Sequence, residues 1–349
     1  MPPSTRPSLK TSHDVDIDVS GLVPPALSGR LLGIGQGVVH SVEVRPGRAV
    51  SYRGRRACPD VGVHHVVAFS GTTLALGDDL PAFELSAALD TLRPVDLAGQ
   101  GRPVAPFPKY DPTTGELHVI AGAAGEPQVH VVISAGALTR RNRPIVETPN
   151  HITDLAIPLD RILFVSHGFI GIASREGEGR TTWIATGVAA PSPIHAHDAG
   201  DTVVLLALTP MLERWTLHHA AGTIHREVLD PTPRHFAHYG SEGVDGAPRL
   251  LWTTGNPTIG HHDLVASRHV HHNFWANAPG NLVFVADATR PDDADGGWLV
   301  GFVHESSGAT TEFLVMDAAD ITGPPMATAL IPRLIPHGLR CTWIPAPQH

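Results

Sequence analysis

This sequence predicts an all-β protein, a seven-bladed β-propeller with an axial active-site tunnel. Glycine and proline, 35 and 32 of the 349 residues, recur so often that no stretch long enough for a helical bundle lacks a turn signal. Between these breaks lie short runs rich in Val, Ile, Leu and Thr, with almost no helical periodicity. At four strands and roughly 40 to 50 residues per blade, the chain has room for about seven blades, and no linker divides it. A closed propeller gathers loops from every blade around one axis, so the working site is expected there.

In chain order, strands are expected at 30–37 and 37–45, then 64–69 and 73–77, 116–122 and 128–135, and 161–167, 169–174 and 181–188. Further strands are expected at 201–208, 212–220, 249–255, 281–287, 297–305, 311–318 and 326–332. Each run is built from β-branched and leucine side chains and closed by Gly, Pro, Asp or Asn. Residues 1–15, opening MPPSTRPSLK, contain no apolar signal core and are expected as a disordered lead-in to one domain over 16–349. The expected location is the cytoplasm.

The net charge is −9, and the basic residues, almost all arginine, stand singly, so no nucleic-acid partner is expected. The longest apolar runs, such as Val203 to Leu208, fall far short of the roughly 20 residues of a membrane-spanning helix. Cys58 and Cys341 match neither a disulfide framework nor a zinc spacing and read as unpaired thiols. Histidine is the anomaly, with 23 residues.

Several stretches resemble the carotenoid cleavage oxygenase family, the retinal-pigment-epithelium and apocarotenoid oxygenase group of seven-bladed propellers. GLVPPALSGRLLGIGQG resembles the family's G-x-x-P-x-x-L-x-G opening, and PFPKYDPTTGELH resembles A-H-P-K-x-D-P-x-T-G-E-L. LERWTLHHAAG resembles L-x-R-W-T-L-D-x-x-T-G, and DGGWLVGFVHE, EFLVMDAADI and MATALIPRLIPHGLRCTWIPA follow the closing blade in order. The resemblance runs nearly end to end. It implies a ferrous ion held on the axis by four histidines, one from each of four blades, with a position left open for dioxygen.

This sequence departs from that pattern at every ligand position. Gap-free reading of the motifs puts Phe107, Thr153, Ser192 and Arg340 where the family has histidine. The carboxylates that orient the ligand imidazoles in the family register on His235 and Asn281. The resemblance thus implies a short, divergent member without the iron cage, and neither metal nor cofactor is expected.

Arg340 brings a permanent cation with five donors to the axis, where its planar fork suits a carboxylate, enolate or carbonyl oxygen. Asp154 is a candidate partner for it. His235 and His195 are the expected proton carriers, because imidazole titrates near neutrality. Phe107, Thr153, Ser192, His197 and Trp343 are expected to line the substrate pocket. The expected function is metal-independent chemistry on an elongated apolar small molecule of isoprenoid, polyene, polyketide or phenylpropanoid type. Isomerisation, cyclisation, elimination and hydrolysis are all within reach of a confined acid–base pair.

Two alternatives stay open at this point. One keeps oxygenase chemistry with a relocated iron on His195, His197 and His235, and the other is a non-catalytic carrier. His269 and His271 have a metal-like spacing on a possible strand that the resemblance places on the outside, but they read as solvated residues, and the same reading applies to His261 and His262. Asp292, Asp293 and Asp295 lack the Glu of a calcium loop and read as a turn.

Overall fold

The computed structural model describes residues 13–45, 50–56, 63–77, 80–99, 101–123, 126–135, 140–145, 147–176, 180–240 and 246–346. These residues form 31 strands and no helix, arranged as seven antiparallel sheets in a ring. None of them builds a helix long and apolar enough to cross a membrane. The all-β, seven-bladed expectation therefore holds.

Blade one runs from an inner strand, Val63–Phe69, through Thr72–Gly77 and Ala82–Leu85 to an outer strand, Thr91–Val95. The inner strands of blades two to five are Lys109–Asp111, Ile152–Ala156, Ser192–Ala199 and Phe236–Tyr239. Their outer strands are Arg140–Pro144, Thr182–Ala185, Thr223–Asp230 and Arg268–Asn273. Blade six places Val283–Ala286 against Gly297–Glu305 and takes Val19–Gly21 as its outer strand.

Blade seven closes the ring. Its inner strand, Cys341–Pro345, pairs with Gly29–Gly35, which continues to Val38–Val44, Val50–Arg56 and His13–Ile17. Thr342 Oγ1 donates across to the Val66 carbonyl of blade one at 2.8 Å. The lead-in expected over 1–15 is thus overtaken by a strand that starts at His13, and residues 1–12 lie outside the described residues. Cys58 also lies outside them, and Cys341 is a buried free thiol.

The middle strands are apolar on both faces because each blade is covered by its neighbours. Leu250–Thr254 is buried throughout, and Gly297–Glu305 is buried up to its last residue. Core clusters accordingly span blade pairs: Leu163 and Ile172 of blade three pack with Val203, Leu205 and Trp215 of blade four. Outer strands have water on one side, and Arg140–Pro144 is mostly exposed.

Three inner strands carry a β-bulge near their beginnings. Pairing shifts between Val63 and His65, between Ile152 and Asp154, and between Pro193 and His195. An extra residue in one strand re-aims the side chains that follow it, and such bulges are over-represented beside active sites.

Candidate active site

Six of the seven blades send a polar or aromatic group toward one axial cluster. The ring of Phe107, just before the inner strand of blade two, is covered by the Arg340 guanidinium, whose Cζ lies 4.3 Å from the ring centroid. Stacking suits a delocalised planar cation and leaves its N–H edge free for acceptors in its own plane. Among the described residues no acceptor takes it up: the charge partner it senses is Asp154. Burial lowers the Arg340 pKa and Asp154 raises it again.

Asp154 is itself engaged. Lys109 Nζ sits 3.1 Å from its Oδ1, which also accepts the Leu155 N–H at 2.8 Å. Blade one adds His65, directly after its bulge. Burial first, then the charges of Arg340 and Lys109, push this imidazole down to about 3. Its Nδ1 is buried without a hydrogen-bond partner among the described residues.

His238 of blade five donates through Nε2 to the Asn281 side-chain oxygen of blade six at 2.6 Å. Burial lowers its pKa, the Asn281 bond opposes that, and Arg340 adds to it. A neutral amide therefore stands at position 281, where the resemblance expects a carboxylate.

Two cavities flank this cluster and share no lining residue. The first, about 480 Å³, lies at the leading ends of the inner strands and is lined by Ile34, Gln36, His64, Phe107, Leu339 and Arg340, among others. The second, about 370 Å³, lies at the trailing ends and is lined by Lys109, Tyr110, His195, His197, Asp198 and Tyr239, among others. Where the sequence leads to one axial tunnel, the described residues form two separate cavities, with Arg340 lining the first and Lys109 the second.

The sequence-derived residues sort accordingly. Arg340, Phe107 and Asp154 come together. His195 and His197 lie in the second cavity, where His195 Nε2 donates to the Gly246 carbonyl at 2.8 Å and its ring meets Tyr239 edge-on at 4.9 Å. Burial pushes His195 down to about 4, with His197 adding to the effect and the Gly246 bond opposing it. His235 stays outside the cluster: its side chain is exposed, and its backbone N–H extends the ladder to Thr254 at 2.8 Å.

Thr153 is the extra residue of a bulge, exposed, with Oγ1 donating to the Val165 carbonyl at 3.3 Å. Ser192 is half-buried at the start of its strand. Trp343 packs into the apolar layer between blades six and seven, against the backbone of Gly29, instead of facing a pocket. The sequence pattern does not mark His65 or Lys109. The bulge before His65 reverses the alternation that assigns faces to HHVVAF, and Lys109 reads only as a motif residue.

The donor set does not fit a ferrous ion on the axis. Phe107 offers no lone pair, and Arg340 fills the space above it with a fixed positive charge. Nor do His195, His197 and His235 converge as a relocated set. The group of three possible ligands found among the described residues lies elsewhere, at the rim between blades four and five: Asp230, His262 and His271. There the Arg234 guanidinium already holds the central position, 2.8 Å from Asp230 and 3.1 Å from His271. Asp292 and Asp293 are exposed in a turn, as expected.

Fold and site together define a seven-bladed propeller with an axial cluster built on arginine. The comparisons show which proteins share this fold. Residues 184–345 match the family model described as retinal pigment epithelial membrane protein. A Mycobacterium tuberculosis carotenoid cleavage oxygenase is 21% identical, over 95% of this chain and 94% of that one. Cobalt-substituted Synechocystis apocarotenoid oxygenase superposes with a TM-score of 0.82 at 17% identity, over 97% of both chains. A variant of the same Synechocystis enzyme gives 0.82 at 16%, again over 97% of both. Over its whole length the chain thus shares the fold of apocarotenoid oxygenase, and its residues 184–345 are similar to the retinal pigment epithelial membrane protein family.

Proposed function

We propose that this protein is a metal-independent enzyme on the carotenoid-oxygenase fold, acting on an apolar small molecule by acid–base chemistry. The observation that carries the reading is the Arg340 guanidinium, stacked on Phe107 at 4.3 Å and lacking a hydrogen-bond acceptor among the described residues. Such a group is preorganised to stabilise negative charge developing on a substrate oxygen, an effect strongest in a site shielded from water.

His65 is the proton carrier of this reading. It is neutral, its Nδ1 is uncommitted, and the Arg340 charge that depresses it is the charge a substrate oxygen would offset. Lys109 and Asp154 hold the polarity of the axis behind it. The reaction classes open to this set are isomerisation, cyclisation, elimination and hydrolysis, none of which needs an oxidant.

The test is turnover by untagged protein treated with a chelator and assayed under argon, on a panel of apolar polyenes and isoprenoids followed by mass spectrometry. A product of unchanged mass, or one differing by water, is expected, and it disappears in His65→Ala and Arg340→Met. Cleavage products carrying label from ¹⁸O₂, with stoichiometric iron in the protein, would sink the reading.

A further inference from the structure

We infer that the leading cavity takes a monoanionic carboxylic acid with an apolar body, its carboxylate held on the in-plane edge of Arg340. The inference rests on the proposed axial reading and deepens it by naming the ionic state of the molecule bound.

Three observations carry it. The first is the local charge. Two fixed cations, Arg340 and Lys109, share one carboxylate, Asp154, which Lys109 contacts at 3.1 Å. His65 and His238 beside them are held toward the neutral form by burial. The cluster is left one positive charge in excess, and a half-buried charge without a counter-charge favours an anion beside it. A monoanion balances it, whereas a diphosphate would overshoot.

The second is the geometry of the donor. The Phe107 ring backs one face of the guanidinium, so ligands reach it along its edge, where paired N–H groups match the two oxygens of a carboxylate. The third is the cavity. Its volume of about 480 Å³ is in the range of small-molecule sites, and Ile34, Pro336, Leu339 and Phe107 give it apolar surface beside Arg340, with Gln36, His64 and His337 adding polar groups. A charged head at one end and an apolar body along the walls is the shape of a small organic acid.

Calorimetric titration of the full chain with decanoate, decanol, methyl decanoate and inorganic phosphate tests this without requiring turnover. Decanoate is expected to bind roughly ten- to a hundredfold more tightly than decanol or the ester, the range of one charged hydrogen-bonded contact. Arg340→Gln is expected to erase that preference while keeping weak decanol binding, and Arg340→Lys to retain part of it. Phe107→Leu keeps the charge but loosens the fork, so it lowers the preference without abolishing it. Equal binding of decanoate and decanol, or a preference that survives in Arg340→Gln, overturns the inference. Phosphate binding as tightly as decanoate overturns the carboxylate assignment in favour of a general anion site. Decanoate selectivity in a protein that shows no metal-free turnover would remove the proposed reaction and leave the carboxylate site standing, while turnover of neutral substrates only would do the reverse.

Discussion

Two arginines in this chain do opposite things. Arg234 is enclosed and fully engaged: it donates to Asp230 at 2.8 and 3.1 Å and to Thr258 Oγ1 at 2.8 Å, and touches His271 at 3.1 Å. Removing it strands the Asp230 carboxylate, so Arg234→Met is expected to cost about 3–5 kcal/mol, seen as a large drop in Tm. Arg340 has no such partners to strand. Arg340→Met is expected to leave Tm unchanged or raised while abolishing turnover, the signature of a residue kept for chemistry at the expense of stability. A Tm loss as large as that of Arg234→Met would make Arg340 structural. At this scale Arg340, Phe107 and Asp154 were legible in the sequence, because motif register alone carried them to the axis. His65 was hidden by a bulge, which changes side-chain facing without leaving a composition signal. Trp343 was misplaced for a related reason: on an inner strand, alternate residues face the neighbouring blade and not the axis.

Elements divide by what covers them. Middle strands, packed on both faces, read as continuous apolar runs, so 161–167, 249–255 and 297–305 were found within a residue or two. The outer strands Arg140–Pro144 and Thr223–Asp230 are largely exposed and carry no alternation. The inner strands Lys109–Asp111 and Phe236–Tyr239 are short, and the groups they aim at the axis are polar. Neither kind announces itself in hydropathy. The closing strand is the element on which the ring depends, and it sits tightly: a Cβ on Gly29 would fall 2.5 Å from the Ile344 carbonyl oxygen. Gly29→Ala is therefore expected to lower Tm by forcing Cys341–Pro345 away. Ending the chain after Arg340 is expected to abolish a single cooperative unfolding transition and expose dye-binding apolar surface. A sharp, unshifted transition in the truncated chain would show that blade seven does not need its inner strand.

Across the whole molecule, the histidine excess becomes a pH response. His40, His118, His130, His195, His262 and His304 are buried, and burial chiefly holds them at about 3 or 4. In the unfolded chain the same groups titrate near about 6.5. Below that pH the unfolded state takes up protons that the folded state refuses, so stability is complete above about 6.5 and is lost as pH falls toward 4. Each such group contributes up to about 1.4 kcal/mol per pH unit in that window. Tm is expected to be level above about pH 7 and to fall steeply below 6.5, and a flat profile down to pH 5 would contradict the buried-neutral assignment. The arrangement of the axis has its own consequence. His65, Lys109, Asp154, His238, Asn281 and Arg340 each hang from a different sheet, and every sheet has its own ladder of hydrogen bonds. Exchanging one of these groups leaves the scaffolding of the other five intact, so a propeller of this kind can be retooled one position at a time.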